Sequence, residues 1–423
     1  MRDEAMEQGV QRIPETAPEP EARGLGFSII YALASLGVYT AMLTPATVSL
    51  SLRISQLAPQ DPAGGLAVIA SVGGVCALIG NPLFGRLSDR CRSRFGRRRP
   101  FILGGLLIAV PSVLLLGLAP NLVVAGIAWC VAQLAIAGAL ASTTAVLVDQ
   151  VPMRQRARMS GLVQISIYIA ILLGTFLVRL TPTDPVLMFL IPACLAVLLT
   201  VPLLVVLRDP VLTQAATPER SRITSIWVSP RKHPDFGWAW ISRLFVYMGA
   251  YVVTTFLTLM VIDRLGLDAA EAAQVVFLAN LVYTGGVVVS ALISGVFADR
   301  LRRYKPFVLC SAVVFGIGVL VLAFTDSLAA VLIGMLIGGL GMGTYASVDL
   351  ALLTGVLPEG GNDEAKDMGL FQVAIALANS VVPALGPAFL AIGGGGNFTA
   401  LFIASTVFAV CGALLILPVR KVR

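Results

Sequence analysis

The chain is a series of long apolar runs separated by short polar segments, and within each run apolar residues follow one another without alternation. The run from Leu122 to Ala141 is typical. A membrane strand would alternate, whereas a helix needs about 20 apolar residues to cross a hydrocarbon core of roughly 30 Å. We therefore predict an all-α integral membrane protein with twelve helices, numbered in chain order, over residues 27–51, 65–87, 101–119, 122–148, 160–179, 186–207, 239–262, 272–298, 306–325, 328–352, 369–391 and 398–419.

Composition agrees with this class of protein. Hydrophobic residues make up 57% of the chain and charged residues 13%, which excludes a single water-soluble domain with a polar surface. Residues 1–24 are rich in Glu and Pro and predict a disordered tail, and the first apolar run is too long for a secretory signal. The predicted units are a tail at 1–24, a six-helix bundle at 25–207, a linker at 208–238, a second bundle at 239–419 and a tail at 420–423.

Basic residues fall on alternate connections. Fifteen Arg and Lys residues lie after helices 2, 4, 8 and 10, whereas the opposite side carries only Arg53, Arg179 and Arg264. By the positive-inside rule, the basic connections, the linker and both termini are predicted in the cytoplasm, with the chain in the cytoplasmic membrane. The net charge of +7 is explained by the lipid bilayer and requires no nucleic-acid partner.

The sequence contains no pattern typical of an enzyme. The six cysteines have no disulfide or metal-ligand spacing, so we interpret them as small buried hydrophobic residues and predict no metal and no cofactor. The glycine-rich segment from Gly338 to Tyr345 lies within an apolar run, where it predicts close helix packing rather than a nucleotide site. We find no catalytic Ser/His/Asp set and predict that the protein is not an enzyme.

Two charged segments are repeated half a chain apart. GRLSDRCRSRFGRRRPF begins at Gly85 and the shorter GVFADRLRRYKPF begins at Gly295, each between two apolar runs. Asp149 and Asp349 form a looser second pair at the ends of helices 4 and 10. A duplication into two pseudo-symmetric six-helix bundles follows, with a substrate site between them near mid-membrane.

The first charged segment resembles the signature loop of the major facilitator superfamily. Its sequence from Ser88 to Phe101 is similar to that of the sucrose and glycoside (glycoside-pentoside-hexuronide-like) symporters. The segments LTPATVSLSLR from Leu43 and HPDFGWAWISR from His233 resemble the same group. The resemblance implies secondary active transport of a small uncharged or amphipathic, sugar-like solute by alternating access, with protons as the coupling ion. We also expect a monomer.

The resemblance assigns a conformational latch to the charged loops, and the alternative is that their arginines only fix topology. By their chemistry, Gly85 would permit close helix approach, Asp89 would meet the positive end of a helix from the other half, and the arginines at 97–99 would pair with loop carboxylates. The second copy lacks a glycine at the position of Gly96. The predicted latch residues are Gly85, Asp89, Arg90, Gly96, Arg97, Asp299, Arg300 and Lys305.

The residues that would couple transport to an ion gradient are harder to identify in the sequence. The resemblance implies an acid in helix 4 and a basic residue in helix 5, but those positions are apolar or small, and Arg179 lies only at the end of helix 5. One hypothesis is that Asp349 or its counterpart Asp149 titrates during transport. Arg243, one turn inside helix 7, would bind Asp349 or an anionic substrate, or would extend to the cytoplasm.

Polar and aromatic residues at mid-depth predict the substrate site, because such groups are costly in lipid unless they face protein or water. The candidates are Tyr39, Thr40, Gln133, Gln164, Tyr168, Tyr247, Tyr251, Asn280, Tyr283 and Asn379. Each could instead join helices. Neutral hydrogen-bonding groups with aromatic rings favour an uncharged polyhydroxylated or amphipathic ligand. A proton-driven efflux antiporter for drugs or metabolites and a non-transporting receptor remain as alternatives.

Overall fold

The computed structural model describes residues 22–209, 234–301, 304–356, 364–393 and 396–419, and within these ranges it contains helices and no strand. Eleven helices are long and apolar enough to cross a membrane, and the last has 17 residues. The predicted all-α membrane fold is confirmed. Helices 1 to 12 are Leu25–Leu57, Pro62–Arg90, Arg99–Leu118, Leu122–Gln150, Met153–Leu180, Leu187–Val206, Pro234–Leu265, Ala269–Leu301, Lys305–Ala323, Leu328–Val356, Glu364–Leu390 and Phe398–Leu414.

Local sequence explains several helix boundaries. Asp61, Asn121 and Asn397 precede helices 2, 4 and 12, and each side chain accepts a hydrogen bond from the backbone N–H three residues later. Helix 1 continues past Pro45 through a π-helical turn over Pro45–Ser49, which accommodates the missing N–H of proline. Residues 1–21 of the predicted N-terminal tail, the C-terminal tail, most of the linker and His233 lie outside the described residues.

Each half of the molecule repeats the same packing. Helix 1 packs on helices 5 and 6, helix 3 on helices 4 and 6, and helix 2 on helix 4; the same pairs recur six helices later. A capping arrangement is repeated as well. Arg53 at the end of helix 1 donates to the Ala119 carbonyl after helix 3, and Arg264 at the end of helix 7 donates to the Ala323 carbonyl of helix 9, each at 2.7 Å. These repeats support the duplication inferred from the charged loops.

The halves meet through helices 1 and 7, 2 and 11, and 5 and 8. Thr258 donates to the Thr47 carbonyl at 2.9 Å, and the rings of Phe176 and Phe277 lie 5.7 Å apart. These contacts lie toward the end of the bundle away from the charged loops. Near the charged loops, by contrast, the apolar cluster around Tyr31 contains residues of the first half only. These two contacts therefore join the halves toward the end opposite the charged loops.

The glycine-rich segment of helix 10 serves helix packing, as predicted. A β-carbon at Gly339 would lie 2.2 Å from the Tyr283 carbonyl oxygen of helix 8, and one at Gly341 would lie 2.4 Å from the Phe315 amide of helix 9. Gly343 approaches the Val287 carbonyl equally closely. Because backbone meets backbone here, helix 10 holds helices 8 and 9 at a short distance.

Candidate functional site

Arg98, buried with 5% of its surface exposed, is the centre of the charged loop in the first half. Its guanidinium contacts Asp89 at 2.6 Å, Asp149 at 2.9 Å and the Ser88 hydroxyl at 2.8 Å. Arg97 adds a second ion pair to Asp149 at 2.7 Å. Burial alone would lower the pKa of Arg98, but Asp149 and Asp89 raise it above its ordinary value, so the group stays charged. We call these five residues the arginine cluster.

Asp209, at the start of the linker, fixes the loop that carries the cluster. Its carboxylate accepts the backbone N–H groups of Arg98 and Arg99 at 2.7 and 2.9 Å, which caps the positive end of helix 3. Gly96 has φ of +96°, and a β-carbon there would lie 2.3 Å from the Asp209 carboxyl carbon. The turn therefore requires glycine for its backbone conformation and for the space occupied by Asp209.

The latch residues of the first half have different environments. Asp89 and Arg97 lie in ion pairs whose described partners all belong to the first half. Arg90 is exposed at the end of helix 2. The close approach predicted at Gly85 is wrong for this structure, since a β-carbon there would meet no atom within 4 Å; helix 2 makes its close contacts at Gly73, Gly74 and Gly80.

The second copy of the loop is built differently. Aligning Pro306 with Pro100 places Tyr304 at the position of Arg98, so this copy has no counterpart of the central arginine. Lys305 donates to the carbonyls of Leu417 and Val419 after helix 12. Arg300 is exposed, and the Asp299 side chain lies outside the described part of the structure. Lys305 thus fastens the end of helix 12 in this structure.

Gly96→Ala is expected to destabilise the loop by about 1–3 kcal/mol, because alanine is strained at positive φ and its methyl group displaces the Asp209 cap. Thermal unfolding of the purified protein measures the effect. Gly104→Ala, in helix 3 with no atom within 4 Å of the new methyl group, is the matched control. Equal unfolding temperatures for the two variants would contradict the assigned role of Gly96.

A second ion pair lies inside the other half. Arg243 of helix 7 and Asp349 of helix 10 are 7% and 9% exposed, and their charged atoms Nη2 and Oδ2 are 3.2 Å apart. Tyr345 lies close enough to Asp349 for their side chains to interact. The guanidinium also lies 5.6 Å from the ring centre of Tyr247. Of the alternatives for Arg243, the structure shows the pair with Asp349, and the low exposure argues against extension into the cytoplasm.

The two coupling candidates therefore differ in partner. Asp149 contacts two arginines of the charged loop. Asp349 is the matching residue of the second half, whose charged loop has a tyrosine at the position of Arg98. Its ion-pair partner is therefore Arg243 of helix 7 rather than a loop arginine. Asp349 also borders a small pocket between helices 7, 9, 10 and 12, lined in part by Ser242 and Val308.

Five predicted tyrosines from both halves form a group, which we call the tyrosine group: Tyr39 of helix 1, Tyr168 of helix 5, Tyr247 and Tyr251 of helix 7, and Tyr283 of helix 8. Tyr247 is close enough to interact electrostatically with Tyr168 and Tyr251, Tyr283 with Tyr168 and Tyr247, and Tyr251 with Tyr39. Tyr168 is also close enough to Gln164 for their side chains to interact. Six of the ten predicted substrate residues are thus brought together, next to Arg243.

The other four candidates have different surroundings. Thr40 is fully buried and donates to the Leu36 carbonyl of its own helix at 2.7 Å. Asn280 donates to its own helix at the Val276 carbonyl at 2.9 Å, and Gln133 is buried close to Gly73 of helix 2. Asn379 is half-buried in helix 11. For Thr40, Asn280 and Gln133, a role in helix structure fits these contacts better than substrate binding.

Arg98 and Asp209 are the residues that sequence reasoning underrated. Arg98 is one of three consecutive arginines, and the sequence does not distinguish which of them turns inward. Asp209 lies 111 residues from its hydrogen-bond partner. Among the described residues, no group of three or more His, Cys, Asp or Glu side chains could hold a metal ion.

Comparisons with known proteins agree with this architecture. The sucrose transport protein SUC4 of Arabidopsis thaliana is 38% identical over 77 residues, which cover 17% of this chain and 15% of that relative. A crystal structure of the nucleoside transporter NupG superposes with a TM-score of 0.70 at 11% identity, covering 92% of this chain and 98% of that one. A D-xylose-proton symporter gives 0.68 at 18% identity, covering 92% and 96%.

The family model described as Major Facilitator Superfamily matches residues 25–294 and 278–423, which together include every described helix. The two repeated bundles, the charged loop after helix 2 and a tyrosine group between the halves fit that match. The chain is a multi-pass membrane protein and belongs to the Major Facilitator Superfamily.

Proposed function

We propose that this protein is a secondary active transporter that moves a small uncharged or amphipathic, sugar-like solute by alternating access. The observation that carries the proposal is the tyrosine group, which takes residues from helices 1 and 5 of one half and helices 7 and 8 of the other. A ligand bound there would contact both halves. Rearrangement of the halves would then change the side from which the ligand is reached.

The chemistry of the group favours a neutral ligand with several hydroxyl groups. Phenol hydroxyls both donate and accept hydrogen bonds, and their rings offer apolar faces to a sugar ring. The neighbouring charges of Arg243 and Asp349 compensate each other, so they add no net charge that would attract an ionic substrate. The sucrose and D-xylose transporters among the similar proteins support this substrate class.

Protons are the proposed coupling ion and Asp349 the proposed carrier. Protonation of Asp349 would break its ion pair with Arg243, whose guanidinium lies beside Tyr247, and this links the proton to the tyrosine group. A small pocket in the second half borders Asp349. Asp149 is less suited, because it already lies in ion pairs with two arginines of the charged loop. We also propose that the chain lies in the cytoplasmic membrane with its charged loops in the cytoplasm. We propose that the transporter is a monomer.

The test uses the full chain, first screened for thermal stabilisation by disaccharides, glycosides and amphipathic drugs, and then reconstituted in liposomes with the labelled hit. We expect a sugar-like compound to stabilise the protein and to accumulate when a proton gradient is imposed. Tyr251→Phe should weaken both effects, and Tyr304→Phe, outside the membrane helices, should change neither. Hits confined to drugs that are exported against a proton influx would establish the efflux antiporter instead, and binding without transport would indicate a receptor.

A further inference from the structure

Two of the six cysteines are neighbours. Cys76 of helix 2 and Cys130 of helix 4 lie close enough for their thiols to interact, although 54 positions separate them in sequence. Both are free thiols and both are half-buried. Because the two cysteines are far apart in sequence, their spacing does not indicate a pair. Only the packing of the two helices brings them together.

The packing of helices 2 and 4 supports the same pairing independently. A β-carbon at Gly80 would lie 3.0 Å from the Ala137 β-carbon and 3.3 Å from a methyl group of Leu134. Helices 2 and 4 run in the same direction because one helix separates them. Stepping back four residues on each helix from Gly80 and Leu134 therefore places Cys76 opposite Cys130. The glycine allows the helices to approach closely at this level.

The thiol pair can be reached from the apolar surface of the bundle. Val72 and Ile79, each within one turn of Cys76, are 48% and 56% exposed on helix 2. Ile127 and Val131 are similarly exposed on helix 4 around Cys130. In a membrane-spanning bundle such a surface faces lipid, so an apolar reagent dissolved in the bilayer would have access to both sulfur atoms.

We propose that Cys76 and Cys130 form a two-thiol binding site for soft, thiophilic electrophiles, of which monosubstituted trivalent arsenicals are the best matched class. An arsenic(III) oxide reacts with two thiols to form two As–S bonds, and its oxygen leaves with both thiol protons as one water molecule. No electrons are transferred, and arsenic remains trivalent. Reactants and product are uncharged, which suits a site in apolar surroundings.

Occupation of this site has a structural consequence. Gly74, two residues before Cys76, packs against Ser380 of helix 11, where a β-carbon would lie 2.8 Å from the Ser380 α-carbon. An arsenic bridge would fasten helix 2 to helix 4 next to this contact between the halves. Movement of helix 2 against helix 11 would be hindered, so transport should be slowed in the occupied protein.

The experiment treats the purified full-length protein with phenylarsine oxide and follows the intact mass. We expect one tightly held phenylarsenic group that excess 2-mercaptoethanol leaves in place and ethanedithiol removes. Cys76→Ser and Cys130→Ser should each reduce this retention at least tenfold. Cys194→Ser and Cys310→Ser, which change exposed single thiols, are the matched controls and should retain the group.

Two results would overturn the site: retention in both the Cys76→Ser and Cys130→Ser variants, or ready displacement of the group by the monothiol. Because a serine can disturb packing, the alanine variants are measured as well, with thermal unfolding as the check of folding. Binding is read by mass and does not depend on transport, so its failure is distinguishable from failure of the proposed transport function.

Discussion

Arg243→Ala should lower the free energy of unfolding by about 3–5 kcal/mol and abolish transport. The substitution leaves the Asp349 carboxylate buried without its cation, and such a charge is far more costly than the loss of the pair as a whole. It also removes the guanidinium beside Tyr247, so the tyrosine group changes shape. Thermal unfolding in detergent and uptake into liposomes measure the two effects separately.

The double variant Arg243→Ala with Asp349→Asn decides whether the effect arises from the pair. Without a stranded charge, it should recover most of the lost stability but no coupled uptake. Asp349→Asn alone should allow solute to equilibrate across the membrane without accumulation in a proton gradient. Arg154→Ala, at an exposed arginine in the first turn of helix 5, is the control and should behave like the unaltered protein. A stable, fully active Arg243→Ala variant would disprove the role of the pair.

The difference between the two halves follows from single residues in the repeat. The sequence shows Asp149 and Asp349 as counterparts, and it shows three consecutive arginines in one loop and a shorter loop in the other. The loop binds Asp149 because Arg98 points inward, between Asp89 and Asp149. Only the structure shows this orientation. The duplication was thus predictable from the sequence, whereas the different ion-pair partners of Asp149 and Asp349 were not.

Helix existence was predictable because each run of apolar residues is long, but the direction of each side chain was not. In helices apolar on all sides, the sequence carries no stripe that marks a buried face. Tyr251 and Thr40 were therefore both candidates, although one joins a group of tyrosines and the other donates to its own helix. Cys76 and Cys130 illustrate the same limit, since only packing brings them together.

Gly339→Ala should destabilise the protein by about 2 kcal/mol, because its methyl group would overlap the backbone of helix 8 at Tyr283, which cannot rotate away as a side chain would. Helix 8 must shift to accommodate it, and Tyr283 shifts with the helix. We expect a lower unfolding temperature together with weaker binding of whichever sugar-like ligand stabilises the unaltered protein.

Gly338→Ala, one residue earlier in the same helix, should stabilise the protein, in contrast to Gly339→Ala. Its methyl group would meet only the Phe315 ring, at 4.0 Å, so alanine should retain its gain of roughly 0.5–1 kcal/mol over glycine in a helix. Thermal unfolding of the two variants under one condition makes the comparison. If both lose stability equally, helix 10 needs glycine for flexibility rather than for contact. If only Gly339→Ala loses stability and ligand affinity, the close backbone contact between helices 8 and 10 positions Tyr283 in the tyrosine group.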